Sequence, residues 1–400
     1  MDFEYGIIGG GPAGYTAGMN LAKQGHSVVL FEKNKLGGTC MNNGCIPTKS
    51  LIHASEMYSV LKKHEVSLDF SQIVAKKDQT IEKIRKSLEL SVKNSGVKVI
   101  YSEACIQDKN TIIANGEEHK VENIIAAVGS KPREIKGLEF DGKFILSSDD
   151  VLNLQTLPKS VLIVGSGAIG IEWARIFSNF DVEVSIVEMA EHLIPLADIE
   201  VSKRIERTFR QRGIKFYLND CIEKIENKTT ILKSGVEITP DFILVAVGRV
   251  PVKPECKEIE LLGDSCGEIQ LAHYAIHQAN EKTLGIPFNK NLTPSVIYGE
   301  PEIAWVGLRE QDMDETYSKV TLPITALGKS WCDEATDGFI KIITKDNLIH
   351  GAHIVSKEAS SLIHILLLAI QKKIKVDELK EICFAHPTYA EGVNMIISSL

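Results

Sequence analysis

Residues 5–14 read YGIIGGGPAG and residues 161–170 read VLIVGSGAIG. Each is a short apolar run entering a G-x-G-x-x-G turn, with Gly9, Gly11 and Gly14 in the first and Gly165, Gly167 and Gly170 in the second. An amphipathic helical pattern follows each turn, and then a second apolar run ending on an acid. These runs are SVVLFE, ending at Glu32, and VSIVE, ending at Glu188. The acid lies 23 residues beyond the first glycine in both copies. The first glycine makes the turn, the second lets backbone approach a pyrophosphate, and the third lets helix pack on strand. The anion rests on the free N–H groups of the helix N-terminus, and the acid accepts from a ribose hydroxyl. Two copies with every part in place predict an α/β protein with two Rossmann-like dinucleotide sites.

The surroundings of each copy also repeat. Residues 97–128 carry short strands and turn signals and end in IIAAVGS; residues 214–248 do the same and end in ILVAVGR. Each nucleotide unit is thus expected to finish in a β-meander. Residues 71–95 read as a long polar helix with one solvated face. From about Asn291 the pattern changes to strands at 294–298, 339–344 and 349–355, with helices at 360–372 and 376–382. That change predicts a separate C-terminal α+β domain.

The chain has 400 residues, enough for about two or three domains and a sizeable core. Its 44% hydrophobic and 24% charged content is ordinary for a globular protein and excludes collagen, coiled coil and wholesale disorder. A net charge of −8 argues against nucleic acid or anionic lipid as the main partner. The apolar run Ile365–Ile370 is too short to span a bilayer. No basic segment precedes the first apolar run, so a secretory signal is not expected. Eight cysteines, mostly scattered, do not form a secreted disulfide framework and point to a reducing cytoplasm.

Two cysteines are close together. Residues 37–50 read GGTCMNNGCIPTKS, with Cys40 and Cys45 five apart. Zinc sites use closer pairs and a second pair, so no metal is expected. A disulfide needs Cα atoms within about 7 Å, whereas five residues of regular helix rise about 7.5 Å. A bridge therefore requires a distorted segment, which Asn42-Asn43-Gly44 can supply; two unpaired thiols remain the other reading. A redox pair exchanges electrons with a flavin only by touching it, which makes the N-terminal site the flavin candidate and the second the nicotinamide candidate. Near the other end, residues 384–392 read FAHPTYAEG. Pro387 biases His386 out of helical geometry, and Glu391 can orient the imidazole as a general base toward a thiol. The other histidines read as ordinary surface or core residues, with some reserve for His273.

Together these segments resemble the FAD-dependent pyridine nucleotide–disulfide oxidoreductases, most closely their dihydrolipoamide dehydrogenase branch. The resemblance covers nearly the whole chain. It rests on GGTCMNNGCIPTK at 37–49, HPTYAE at 386–391, AVGSKP at 127–132, AVGRVP at 246–251, Gly263-Asp264, Leu271-Ala272-His273 and PSVIYGEPEIAWVGL at 294–308. It implies an FAD domain at 1–133 completed by 249–290, an NAD domain at 134–248 and a dimerisation domain at 291–400. Gly9, Gly11, Gly14, Glu32 and Asp264 would hold FAD, and Gly165, Gly167, Gly170 and Glu188 would hold NAD. Thr39, Gly129, Ala272 and Gly248 would be further cofactor contacts. Lys49 would sit by the flavin and pair with Glu172. Cys40 would be the thiol that meets substrate and Cys45 the thiolate beside the flavin. His386 and Glu391 would come from the second copy of a homodimer. The implied reaction oxidises a dihydrolipoyl dithiol, free or on a lipoyl-bearing domain of a 2-oxoacid dehydrogenase or glycine cleavage complex, and reduces NAD⁺.

The chain departs from the family in one place. From Arg249 to Gly263 is only 14 residues, and ELLGD stands where the family reads Tyr-Ala-Ile-Gly-Asp. Two other functions compete. A reductase of a glutathione-type disulfide is opposed by Glu188, which would repel the extra phosphate of NADP, and by Leu-Ala-His at 271–273. A non-catalytic binding protein on the same fold is opposed by the presence of both cysteines, His386, Glu391 and both glycine turns.

Overall fold

The computed structural model describes residues 1–64, 67–256 and 258–400. The N-terminal sheet runs Lys98–Tyr101, Val28–Glu32, Phe3–Ile8, Glu117–Ala126, and those neighbours are parallel. The pairing sets Ile7 beside Leu30 on one side and Ile125 on the other. Val28–Glu32 is buried along its whole length, which is why it reads as a continuous apolar run and not as an alternation. Ala104–Asp108 and Thr111–Ala114 add an antiparallel meander to Glu117–Ala126.

The second sheet repeats this order. Lys215–Leu218, Glu183–Glu188, Ser160–Val164 and Phe242–Val245 are parallel neighbours, and Ile145–Leu146 adds an edge. Its meander is Ile222–Glu226, Thr229–Leu232 and Glu237–Ile238. In both sheets the glycine turn leaves the strand where the order reverses, the place where α/β sheets take ligands. The Ala168–Asn179 helix is buried nearly all round, with Ile171, Trp173, Ile176 and Phe177 among its buried residues. Each such side chain contributes roughly 1.5–3 kcal/mol of burial.

A short ribbon joins the two units. Ser130–Pro132 pairs antiparallel with Arg249–Pro251, and both strands directly follow an A-V-G segment. After the ribbon the chain returns to the first unit. Glu260–Leu261 pairs in parallel with Ile125 and Ala126, and the Ala272–Leu284 helix packs on the Pro12–Lys23 helix. Leu262, Ala275 and Ala279 share a core there with Ala13, Ala17 and Leu21, and Asn20 binds Asn280 and Thr283. The shortened segment therefore still closes the sheet.

The long helix forms at Phe70–Asn94, with Asp69 accepting from Gln72 N at its start. It buries a stripe of Val74, Lys77, Ile81 and Val92 and leaves most of its other residues to solvent. The C-terminal sheet is antiparallel in the order Ser295–Ile297, Glu302–Gly307, Leu348–Ser356, Phe339–Lys345, Ser318–Pro323. Helices Ala359–Lys372, Val376–Lys380 and Glu391–Ser398 cover it around Ile340, Ile354, Leu362, Leu366 and Ile396. Among the described residues no helix is long and apolar enough to cross a membrane.

Candidate active site

The two glycine turns are built alike, down to their hydrogen bonds. Glu32 accepts from Gly10 N with one oxygen and from Asn34 N with the other, both at 2.8 Å. Glu188 accepts from Ser166 N at 2.8 Å and from Ala190 N at 2.9 Å. Each acid thus ties its own glycine turn to the end of its strand. Two carboxylate oxygens offer about four acceptor positions, so capacity remains for a ribose hydroxyl.

The glycines divide by cause. Gly9 has φ +103° and Gly165 φ +97°, conformations that need glycine. A Cβ on Gly14 would collide with the Gly9 carbonyl, and one on Gly170 with the Gly165 carbonyl. The middle glycines answer to no such contact. A Cβ on Gly11 would meet only Gly38 Cα at 3.7 Å, and one on Gly167 would meet nothing within 4 Å. Protein packing does not explain glycine at 11 and 167, but a pyrophosphate on the helix N-terminus does. Both turns therefore fit a dinucleotide. Gly129 (φ +77°) and Gly248 (φ +94°) likewise have nothing within 4 Å of a Cβ.

Asp264 sits where the chain re-enters the first unit. Its carboxylate accepts from Ser130 Oγ at 2.6 Å, and Ser130 Oγ accepts from Arg249 Nε at 2.9 Å. Arg249 also donates to Asp149 at 3.2 Å. A Cβ on Gly263 would lie 3.0 Å from Ala13 Cβ, so the Asp264 turn packs directly on the first glycine helix. Ala272 opens the next helix, and His273 Nε2 lies 2.9 Å from the Pro294 carbonyl, with burial pushing its pKa down.

The cysteine loop rests on the same N-terminal turn. Gly37 N donates to Gly10 O at 2.8 Å, and Gly38 is so close to Gly11 that a Cβ would be 2.7 Å from its Cα. Thr39 and Cys40 lie in the short Gly38–Asn42 helix, whereas Cys45 opens the Cys45–Leu61 helix. The break between them is at Asn43 (φ −135°, ψ 23°) and Gly44 (φ −152°, ψ −107°), where a distortion is expected from the sequence. The two thiols are unbridged and titrate against each other. Hydrogen bonding toward Cys45, then burial, pushes the Cys40 thiol far up. The same interaction, helped by Lys49 and opposed by burial, holds Cys45 down at about 7. A helix N-terminus favours a thiolate in the same direction. Tyr15, on the first glycine helix, feels both sulfurs: burial first, then Cys40 and Cys45, raises its phenol.

Lys49 lies one turn beyond Cys45. Its Nζ is 2.9 Å from both oxygens of Glu172, two residues past Gly170 in the second unit. Glu172 is buried and also accepts from Tyr298 N at 3.1 Å, while the Tyr298 ring centroid lies 4.6 Å from Lys49 Nζ. The cysteine helix, the helix after the second glycine turn and the loop after Ser295–Ile297 thus meet in one contact. The sequence gives Tyr298 no role of its own, although it lies within the quoted segment 294–308.

His386 stands apart, its side chain 76% exposed. Its Nδ1 is 2.8 Å from Glu391 Oε1, and Glu391 Oε2 accepts from Thr388 N at 2.8 Å. The Thr388 N–H, then His386, lowers the Glu391 pKa. Among the described residues no hydrogen bond or ion pair links His386 to the cysteine loop. The acidic group Asp198, Glu200 and Glu310 surrounds the buried Lys341 ammonium, which lies 2.8 Å from Asp198 and 3.3 Å from Glu200.

Residues 3–279 match a family model described as pyridine nucleotide-disulphide oxidoreductase, and residues 293–396 match the dimerisation domain of the same name. The chain is 31% identical to a dihydrolipoyl dehydrogenase of Bacillus subtilis, over 98% of this chain and 96% of that one. It is also 31% identical to the dihydrolipoyl dehydrogenase of Mycoplasma genitalium, over 98% and 97%. That alignment spans 446 positions against 400 residues here, so the relative carries segments this chain lacks. Two solved structures share the fold over 99% of both chains. They are LpdA from Mycobacterium tuberculosis, with TM-score 0.91 and 22% identity, and RclA from Escherichia coli, a HOCl-induced flavoprotein disulfide reductase, with 0.89 and 24%.

Proposed function

The chain belongs to the pyridine nucleotide-disulphide oxidoreductase family, and from that premise we propose that it oxidises a dihydrolipoyl dithiol at the expense of NAD⁺, with Cys40 and Cys45 as the exchanging pair. It is an FAD-dependent oxidoreductase that uses NAD(H). Gly9, Gly11, Gly14, Glu32 and Asp264 hold the flavin nucleotide, with Thr39, Gly129 and Ala272 beside it. Gly165, Gly167, Gly170, Glu188 and Gly248 hold the nicotinamide nucleotide. Glu188 favours NAD because a carboxylate repels a 2′-phosphate. FAD, when bound, supplies the two-electron link between thiols and NAD⁺ that no side chain provides.

The observation that carries the reading is the seating of the cysteine pair on the N-terminal glycine turn, with the low thiol at Cys45 beside Lys49. In the oxidised enzyme the pair is a disulfide. His386 of the partner subunit takes a proton from one substrate thiol, its other nitrogen held by the partner's Glu391. The resulting thiolate attacks Cys40 Sγ, and Cys45 leaves as a thiolate. The second substrate thiol attacks the mixed disulfide, the substrate leaves as a cyclic disulfide, and Cys40 keeps the second proton. That product, a protonated Cys40 beside a Cys45 thiolate, is the proton arrangement favoured by the shifts at the two thiols. The match of residues 293–396 to a dimerisation domain supports the homodimer this requires.

Steady-state rates with dihydrolipoamide, glutathione disulfide, NADH and NADPH test the proposal. Dihydrolipoamide with NAD⁺ is expected to give the highest kcat/KM. Cys45→Ser is expected to lose that turnover and keep NADH oxidation by ferricyanide. A preference for glutathione disulfide, or lipoamide turnover in the serine variant, overturns it.

A further inference from the structure

Glu172 and Arg175 lie one turn apart on the Ala168–Asn179 helix, so their side chains leave the same face. Both reach Tyr298, the residue that follows the Ser295–Ile297 strand. Glu172 accepts from Tyr298 N at 3.1 Å, and Arg175 Nη1 donates to the Tyr298 carbonyl at 2.8 Å. Two side chains of opposite charge thus take both polar backbone groups of Tyr298. Its ring lies against Lys49 Nζ, and Lys49 returns to Glu172, closing a ring of contacts beside Cys45.

Arg175 is an unusual residue to keep here. It is 1% exposed, and its Nη2 has no hydrogen-bond partner among the described residues. The charges around it are Glu172 on its own helix, Glu56 on the cysteine helix, Glu302 on the C-terminal sheet, and Arg212. The neighbouring chain is shaped to admit it. A Cβ on Gly299 would lie 2.5 Å from Arg175 Cδ. The guanidinium thus spends one buried donor on the Tyr298 carbonyl and leaves another without a partner. What the guanidinium adds is a fixed Tyr298.

We propose that Arg175 is a positioning residue. With Glu172 it grips Tyr298 by both backbone groups, and so seats Lys49 against the Cys40–Cys45 pair. Without the Nη1 donor the Tyr298 carbonyl is unpaired, the ring loses its register, and Lys49, already 31% exposed, turns toward solvent. The positive charge beside Cys45 is then screened and its thiolate is less favoured.

The test reads thiol chemistry and needs no turnover. It uses the function proposed above only in taking Cys45 as the thiolate of the pair, so failure with dihydrolipoamide and failure here are separate results. Holoenzyme reduced anaerobically with NADH is alkylated with iodoacetamide across pH, and the Cys40 and Cys45 peptides are quantified. Arg175→Gln is expected to raise the midpoint of the pair by roughly one pH unit. Arg175→Lys, which keeps charge and donor, is expected to recover at least half of that. Tyr298→Leu, which keeps the backbone grip but removes the ring, is expected to raise the midpoint similarly. The double variant is expected to shift no further than the larger single one. An unchanged midpoint in folded, flavin-loaded Arg175→Gln overturns the proposal, as does additivity. If Arg175→Gln does not fold, an unchanged midpoint in Tyr298→Leu overturns it alone.

Discussion

Glu56 lies on the cysteine helix seven residues past Lys49, and the fold holds its carboxyl up at about 7. Burial is the first cause and Glu300 the second; Glu302 adds to the rise, and Arg175 and Arg212 oppose it. The usual value is 4.5. Between pH 4.5 and 7 the folded chain therefore carries a proton that the unfolded chain has lost. Raising pH removes it, so this group's contribution to stability falls across that window. The pKa difference corresponds to about 3.4 kcal/mol, and the solvent that a part-buried carboxyl still sees reduces this to roughly 2 kcal/mol. Glu56→Gln removes the titration. Relative to wild type, the variant gains that amount between pH 5 and pH 8, or roughly 2 °C in thermal midpoint for a chain of this size. Thermal unfolding of both proteins at the two pH values gives the difference of differences, in which other titrating groups largely cancel. Parallel dependence of the two midpoints on pH refutes the reasoning.

His386→Gln is expected to slow dihydrolipoamide oxidation by about two to four decades, with flavin content and NADH–ferricyanide activity unchanged; near-wild-type rates remove the imidazole from the mechanism. Gly14→Ala is expected to purify without flavin, because its Cβ collides with the Gly9 carbonyl. Gly170→Ala is expected to purify with flavin but fail to bind NADH, by the same collision with the Gly165 carbonyl. Absorbance per mole of protein and NADH titration separate the two, and the reverse pattern exchanges the roles of the units.

Much of this architecture is readable from spacing. The glycine turns and their acids recur at one interval because each unit needs strand, turn, helix and strand in that order. The break at Asn43-Gly44 is foreseeable because a regular helix holds residues 40 and 45 too far apart. What escapes the sequence is contact across distance. The anchoring of Glu32 on Gly10 and of Glu188 on Ser166 depends on how the turn folds back on the strand end. Arg175 and Tyr298 are 123 residues apart, and neither stands in a short motif that joins them. Glu302–Gly307 is buried at Ile303, Ala304 and Val306 and shows no clean alternation, so its strand emerges only from its pairing with Leu348–Ser356. The helix at Glu391–Ser398 begins on the same acid that holds His386, and the loop role of that acid conceals its helical one.

The core that Leu262, Ala275 and Ala279 share with Ala13, Ala17 and Leu21 also bears on the order in which the parts mature on the ribosome. The strands of the second sheet, which span 145–245, emerge as an unbroken set, while the first sheet must wait for residues 260–284. The later-made nucleotide unit can therefore close before the earlier one, which spends that interval with the inner side of its Pro12–Lys23 helix uncovered and open to chaperones.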